Sequence, residues 1–171
     1  MPIDDKFKQI IQSNQGCAVI MAGSGSDKPH IDEIVKSLKK YEIPFEVRVC
    51  SAHKQPDELA QMIYEYNQVG GSVVYIAVAG GTDALSGTLS FYARGPVISC
   101  PPDAPNQSCL TNPPGSSNAY IAKPGNVGRF IAQIYAGVNP KLMELLARES
   151  MEKIQSLKDD DAKLRAEYKG E

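Results

Sequence analysis

Residues 17–27, Cys-Ala-Val-Ile-Met-Ala-Gly-Ser-Gly-Ser-Asp, join a short apolar run to a loop of small and hydroxyl-bearing side chains. The run from Cys17 to Met21 is typical of a buried strand, and a segment with helical periodicity follows from Pro29 to Tyr41. Such a loop leaves backbone N–H groups free at the start of the helix, where the helix dipole favours an anion. The hydroxyls of Ser24 and Ser26 can donate to phosphate oxygens. The stretch therefore predicts a phosphate-binding loop, although many loops of this kind are rich in Gly and Ser only because the turn requires it.

The same strand-loop-helix unit recurs along the chain. After a short leading helix at residues 4–12, further strands are predicted at residues 45–50, 73–78, 96–99 and 119–121, with helices after them that include residues 83–92 and 127–136. This order predicts an α/β fold with a mainly parallel sheet and helices on both faces. In such sheets ligands bind at the carboxyl ends of the strands, so the loops at that edge are the candidate site.

Two further loops bring polar groups to this edge. Ser51-Ala-His-Lys54 follows the second predicted strand, and Ala79-Gly-Gly-Thr-Asp83 follows the third. His53 can exchange protons near neutral pH, whereas its alternative role is that of an ordinary polar surface group. Lys54 offers positive charge for a phosphate, or is simply solvated. His30, in the first turn of a helix, is interpreted as a surface residue.

Composition and charge exclude several classes of protein. A net charge of −2 argues against a nucleic-acid-binding protein, which usually carries a basic face. No apolar run reaches the roughly 20 residues that a membrane span needs. The spacing of His and Cys predicts no metal site. The four cysteines, which lack C-x-x-C spacing, are interpreted as reduced, packed thiols of a cytoplasmic protein. Cys100 is a weak candidate nucleophile, because Pro101 and Pro102 follow it.

We expect residues 1–171 to form one domain, with an α/β core at 13–137 and a helical tail at 138–171. The tail begins a helix at Pro140 and carries a narrow apolar stripe that includes Leu142, Leu145, Ile154, Leu157 and Leu164. Such a helix is expected to pack on a neighbouring subunit. The alternative is a solvated end that frays after Lys158, where three aspartates begin.

Five short motifs, taken together, resemble the phosphoribosylaminoimidazole carboxylase family of purine biosynthesis. They are Gly-Ser-Gly-Ser-Asp at 23–27, Val-Arg-Val-Cys-Ser-Ala-His-Lys at 47–54, Ala-Val-Ala-Gly-Gly at 77–81, Ala-Leu-Ser-Gly at 84–87 and Pro-Val-Ile-Ser-Cys-Pro-Pro at 96–102. The resemblance implies a three-layer flavodoxin-like fold, usually an octamer with active sites between subunits. It also implies a phosphorylated substrate, aminoimidazole ribonucleotide, together with carbon dioxide and no cofactor.

The resemblance also assigns roles to single residues. His53 would be the general acid/base that handles the proton at C4 of the imidazole. Gly80 and Gly81 would let the backbone approach the heterocycle and carbon dioxide. The phosphate and ribose would be held by Ser24, Asp27, Ser51 and Lys54. Further substrate contacts are expected from Ser26, Ala79 and Ser86.

The family has two branches, a direct carboxylase and a mutase that isomerises the N5-carboxy compound. Lys54, Ala84-Leu-Ser-Gly87 and Ser99-Cys-Pro-Pro102 resemble the direct carboxylase. The chain departs from that branch at Gly81-Thr-Asp83, where the branch has Arg-Ser-Asn, and in a shorter 103–115 loop. An aspartate there is expected to disfavour a nearby substrate carboxylate. The mutase, and a non-catalytic nucleotide-binding module of the same fold, are the alternatives.

Overall fold

Strands and helices alternate along almost the whole chain in the computed structural model, which describes residues 2–169. The strands are β1 (Ala18–Ala22), β2 (Phe45–Val49), β3 (Val74–Val78), β4 (Val97–Ser99) and β5 (Ala119–Tyr120). The helices are α1 (Asp5–Gln12), α2 (Lys28–Lys40), α3 (Pro56–Val69), α4 (Ala84–Tyr92), α5 (Val127–Tyr135) and α6 (Pro140–Glu167). Every predicted strand and helix is present, with ends that move by one or two residues.

All five strands are parallel and lie in the order β2-β1-β3-β4-β5. This is the strand order of flavodoxin-like folds, so the predicted fold class is confirmed. The three strands that carry the Gly/Ser/His loops are direct neighbours at one end of the sheet. Their loops therefore meet at one edge.

Successive side chains of the buried strands point to opposite faces of the sheet, and they contribute to two separate apolar cores. Ile20 and Ile76 face the core formed with α2, α5 and α6, which also contains Leu38, whereas Val19 and Tyr75 face the core formed with α1, α3 and α4. Helices thus cover both faces of the sheet, as the strand-helix repeat predicts. No helix among residues 2–169 is both long enough and apolar enough to span a membrane.

The edge strand β2 is less well covered. Phe45 packs against the core, but Val47 is 40% exposed and Val49 is 54% exposed. The three side chains share one face of the strand, as predicted, and no element within residues 2–169 shields the far end of that face.

Helix α6 begins at Pro140, as predicted, and Asn139 caps it by accepting a hydrogen bond from the Lys141 N–H. Its first turns belong to the molecule's core, because Leu142 and Leu145 are buried there. The helix continues through the three aspartates to Glu167, so the expected fraying after Lys158 is wrong, although residues 151–169 are exposed to solvent as that alternative expected. Its second half is exposed, including Ile154 at 55% and Leu157 at 69%. The predicted tail extends to residues 170 and 171, which lie outside the described residues.

Candidate active site

The loops after β1, β2 and β3 enclose a cavity of about 290 Å³ at the carboxyl edge of the sheet. A pocket at this edge is where an open parallel sheet places a ligand, and its volume is close to the lower end of the range for small-molecule sites. The wall consists of Gly23, Ser24, Asp27, Ser51, Ala52, His53, Ala79, Gly80, Thr82, Ala84 and Leu85.

The first loop presents Ser24 and Asp27 to the cavity. Residues 25–27 form a single 3-10 turn, which Ser24 caps by accepting a hydrogen bond at its Oγ from the Ser26 N–H, 3.2 Å away. The Ser26 hydroxyl lies 2.7 Å from the same Oγ and is not part of the wall. Pro29 stands in the first turn of α2, as predicted. Of the two serines predicted as contacts in this loop, Ser24 and Ser26, the structure brings only Ser24 to the cavity.

The second loop presents Ser51 and His53. Its turn is closed by two backbone hydrogen bonds to the Ser51 carbonyl, from the N–H of Gln55 at 2.8 Å and from that of Lys54 at 3.2 Å. His53 is exposed to solvent where it borders the cavity. Lys54 is also exposed but does not line the wall.

Ionisable groups are sparse in the wall. Among the described residues only Asp27 and His53 contribute them, and no Lys or Arg is present. A phosphate in the cavity would therefore be held by hydroxyls and backbone N–H groups rather than by a cation of the wall.

The third loop presents Ala79 and Gly80, whereas Gly81 is not part of the wall. Gly81 adopts a φ of +65°, in the left-handed region that favours glycine. Its N–H donates to Oδ2 of Asp103 at 2.7 Å. Thr82, which follows this turn, returns to the wall.

Asp83 and Ser86 lie behind the wall rather than in it. Asp83 is 5% exposed and caps α4, because its Oδ1 accepts a hydrogen bond from the Ser86 N–H at 2.9 Å. The Ser86 side chain is fully buried beneath the cavity and lies 3.5 Å from the Asn112 amide nitrogen. The structure therefore does not bring the predicted contact Ser86 to the cavity. The sequence led us to expect the carboxylate of Asp83 near a carboxylate of the substrate. In the structure Asp83 is not part of the wall.

Five residues of the wall were not predicted as substrate contacts, although each lies in a loop or motif that the sequence marked. Gly23, Ala52, Ala84 and Leu85 contribute backbone or apolar surface, and such residues carry no chemical signature in a sequence. Thr82 carries a hydroxyl directly after the predicted glycine turn, and that hydroxyl was a signal for a contact. The substrate contacts that the sequence did predict stay predictions.

His30 is not the free surface residue that the sequence suggested. It is half-buried, and its Nε2 lies 3.0 Å from the Cys100 carbonyl oxygen. The contact joins the start of α2 to the end of β4.

The cysteines behave as packed thiols. All four are free and buried, as predicted. Burial raises the pKa of the Cys100 thiol to about 12, which disfavours the thiolate that a nucleophile requires. Among residues 2–169 no three His, Cys, Asp or Glu side chains are grouped so that they could hold a metal ion.

Comparison with known proteins identifies related sequences and structures. The sequence profile of the family described as AIR carboxylase matches residues 17–156. The bifunctional phosphoribosylaminoimidazole carboxylase/phosphoribosylaminoimidazole succinocarboxamide synthetase of Rattus norvegicus is 35% identical over 170 residues. The alignment covers 95% of the chain and 40% of the rat protein, so the chain spans less than half of that relative.

Further relatives come from microorganisms, and that of Treponema denticola is similar in length to this chain. The phosphoribosylaminoimidazole carboxylase of Treponema denticola is 30% identical over 86% of the chain and 96% of that protein. The crystal structure titled Treponema denticola PurE superimposes with a TM-score of 0.82 at 30% identity and covers 87% of the chain and 98% of its own. A protein of Methanobrevibacter smithii, named a probable N5-carboxyaminoimidazole ribonucleotide mutase, is 35% identical over 50% of the chain and 25% of its own length.

Proposed function

The chain belongs to the AIR carboxylase family, and on that premise we propose that it carboxylates 5-aminoimidazole ribonucleotide with carbon dioxide. The product is 4-carboxy-5-aminoimidazole ribonucleotide, an intermediate of purine biosynthesis. The reaction needs neither a metal nor an organic cofactor in this proposal, because the aminoimidazole ring is itself electron-rich.

One observation carries the proposal, namely that His53 borders the same cavity as Ser24 and Gly80. The wall thus holds an imidazole, a side chain that can act as a general acid/base, beside a loop suited to a phosphate. Gly80 lies in the wall, where a planar ring and carbon dioxide would lie against its backbone. A nucleotide with its phosphate at Ser24 would direct its ring toward Gly80 and His53.

The chemical step requires positioning and one proton transfer. The C4 atom of the ring attacks the carbon of carbon dioxide, a C–C bond forms, and an electron pair of carbon dioxide moves to oxygen to give a carboxylate. His53 then accepts the proton from C4, and the ring recovers its aromatic bonding. In the reverse direction the same imidazolium donates the proton, as expected of a general acid/base. The enzyme contributes mainly orientation, which can account for a large part of a rate enhancement.

The mutase reaction is the second candidate, and the similarity to the Methanobrevibacter smithii protein is the observation in its favour. The mutase would use the same cavity and the same proton transfer, but carbon dioxide would come from the N5-carboxy group of the substrate.

The deciding experiment compares two substrates with the purified protein. One reaction contains aminoimidazole ribonucleotide and bicarbonate, and the other contains the N5-carboxy compound under carbon-dioxide-depleted conditions. Formation of the 4-carboxy product only in the first supports the direct carboxylase, and formation in the second supports the mutase. Binding of aminoimidazole ribonucleotide without turnover in either reaction would contradict both and favour the non-catalytic module.

A matched variant tests the role of His53. His53→Asn should bind aminoimidazole ribonucleotide in calorimetry with an affinity close to that of the unmodified protein, because the polar wall is retained. Its turnover should fall by roughly 10²- to 10⁴-fold, the usual contribution of a general acid/base. Turnover unaffected by this change would remove His53 from the mechanism.

We further propose that the protein is a cytoplasmic homo-oligomer in which the exposed half of α6 packs on another copy. The family resemblance suggests eight subunits. Ile154, Leu157 and Leu164 form an apolar stripe on this half and are all more than half exposed, which is unusual for a lone helix. The four buried, unpaired thiols favour a reducing compartment.

Light scattering tests the assembly. The unmodified protein should be oligomeric, whereas the double variant Ile154→Glu and Leu157→Glu should form a smaller species. The control, Lys158→Glu, changes the charge of the same turn but leaves the stripe intact. A monomeric unmodified protein, or a double variant of unchanged size, would contradict the proposal.

A further inference from the structure

Residues Asp103–Ser108, which we name the clamp loop, lie against the turn that forms the third wall of the cavity. Asp103 Oδ2 accepts the Gly81 N–H at 2.7 Å, and the Gly81 carbonyl accepts from Asn106 Nδ2 at 2.9 Å. The Ser108 hydroxyl lies 3.1 Å from the same carbonyl. Both backbone polar groups of Gly81 are therefore held by side chains of one loop.

The clamp loop is itself ordered by internal hydrogen bonds. Asn106 is 4% exposed and donates from Nδ2 to Asp103 Oδ1 at 3.0 Å. The Ser108 hydroxyl lies 2.6 Å from Asn106 Oδ1 and accepts the N–H of Asp83 at 2.8 Å. The loop thus holds the turn at Gly81 and again at Asp83. The hydrogen bonds from Asn106 and from the Gly81 backbone lower the pKa of Asp103, so the acceptor is anionic and strong.

The clamp acts directly behind the wall of the cavity. A Cβ atom built on Gly80 would lie 3.3 Å from Cγ of Asp103, so the Asp103 carboxylate lies immediately behind the glycine that borders the ligand space. A Cβ atom on Gly81 would meet no atom of residues 2–169 within 4 Å, so the turn is open on that side. Because Gly-Gly backbone is intrinsically mobile, its position depends on hydrogen bonds from elsewhere.

We propose that Asp103 is a positioning residue of the active site, which fixes the Gly80-Gly81 turn so that the ring and carbon dioxide are held in reacting geometry. This inference rests on the proposed function, which places the ring and carbon dioxide beside Gly80. The phosphate end is contacted by Ser24 on a different loop. Loss of the clamp therefore impairs the chemical step more than it impairs binding.

The test is a comparison of Asp103→Ala, Asp103→Asn and the control Asp5→Ala. Asp5 is an exposed residue of α1 and lies outside the cavity wall, so its removal controls for the loss of one negative charge. Asp103→Ala should lower kcat by roughly 10- to 100-fold, as expected when the Gly80-Gly81 backbone is displaced, with KM for aminoimidazole ribonucleotide changed by less than about threefold. Asparagine keeps an oxygen that can accept the Gly81 N–H, so Asp103→Asn should recover most of kcat. Asp5→Ala should match the unmodified protein.

Amide hydrogen exchange in the segment 79–83 provides a readout that does not depend on turnover. Asp103→Ala should speed exchange there, and Asp103→Asn should restore protection. Unchanged kcat and unchanged exchange in Asp103→Ala would overturn the proposal, as would an Asp103→Asn protein as impaired as the alanine variant. Should Asp103→Ala fail to fold, Asp103→Ser serves the same purpose, because its hydroxyl is shorter than the carboxylate that accepts the Gly81 N–H, and it should show the same losses of kcat and of protection.

Failure of the proposed function gives a different pattern. If the unmodified protein converts neither substrate, exchange at 79–83 still reports on the clamp, and calorimetry with aminoimidazole ribonucleotide reports on the cavity. Faster exchange with weaker binding in Asp103→Ala would then support the positioning of a binding site. Unchanged exchange and unchanged binding would overturn it.

Discussion

The carboxylate of Glu149 on α6 accepts a hydrogen bond from the guanidinium of Arg129 on α5, with an N–O distance of 2.7 Å. The same carboxylate accepts a hydrogen bond from Lys40 Nζ at 2.5 Å and another from the Tyr41 hydroxyl, both at the end of α2. Lys153, one turn further along α6, lies 3.3 Å away. Because Glu149 is only 7% exposed, this cluster anchors α6 to two helices of the core through one nearly buried charge.

This cluster predicts a pH-dependent stability. Burial alone would raise the pKa of Glu149, but the hydrogen bonds from Lys40, Tyr41 and Arg129 outweigh burial and lower that pKa well below its ordinary value of 4.5. A carboxyl whose pKa is depressed by folding stabilises the protein above its unfolded pKa, and this stabilisation is lost as the pH falls toward the folded pKa. Glu149→Gln should therefore lower the free energy of unfolding by about 2 to 3 kcal/mol at pH 7, with a smaller difference in acid. Urea titrations at pH 7 and in acid measure both values. A difference in the free energy of unfolding that does not change with pH would contradict the depressed pKa of Glu149. The control is Glu152→Gln, which lies on the exposed face of α6.

Ser24 is expected to affect substrate affinity. Its hydroxyl borders the cavity at the loop suited to a phosphate, so Ser24→Ala should raise KM for aminoimidazole ribonucleotide by about tenfold, the value of one hydrogen bond to a charged group, with little change in kcat. Steady-state kinetics measures both constants. Ser26→Ala is the matched control, because Ser26 lies outside the wall, and it should have a smaller effect. Equal effects of the two changes would show that the loop as a whole, and not the Ser24 hydroxyl, sets the affinity.

Asp83 is expected to serve stability rather than catalysis. Its Oδ1 caps α4, whereas its Oδ2 is buried without a hydrogen-bond partner among residues 2–169. Serine can also cap a helix and lacks the second oxygen, so Asp83→Ser should retain the stability of the unmodified protein. Asp83→Ala removes the cap and should be less stable by about 1 kcal/mol. Chemical denaturation of both variants tests this, and an alanine variant as stable as the serine variant would argue against the cap.

The contact of His30 with Cys100 is expected to hold the start of α2 against β4. The Nε2 atom of His30 lies 3.0 Å from the carbonyl oxygen of Cys100, where an N–H can donate to that oxygen. His30→Ala should lower the free energy of unfolding by about 1 kcal/mol, the net value of a hydrogen bond. His30→Gln places an amide N–H at a similar reach and should recover part of the loss. Identical unfolding curves for alanine and glutamine variants would indicate packing alone.

The fold followed from patterns that are local in the sequence. Continuous apolar runs such as that in β3 are buried on both faces of the sheet. Because these runs alternate with amphipathic helices, a parallel sheet covered by helices buries both faces of the strands and the apolar faces of the helices. Gly23-Ser-Gly-Ser-Asp27 and His53 are adjacent to strand ends, so their location at one edge was also predictable. Pro29 and Pro140 marked helix starts correctly because proline suits the first turn.

The orientation of individual side chains depended on tertiary contacts. The N–H of Gly81 donates to Asp103, 22 residues later, and His30 meets the carbonyl of a residue 70 positions away. Glu149 accepts a hydrogen bond from Tyr41, which lies 108 positions earlier in the chain. The sequence by itself determined the strands, the helices, their order and the edge where the loops meet, since periodicity and turn chemistry act over a few residues. Only the tertiary structure decided which side chains line the cavity, because each hydrogen-bonding group takes the partner that folding brings near, and that partner can lie anywhere in the chain.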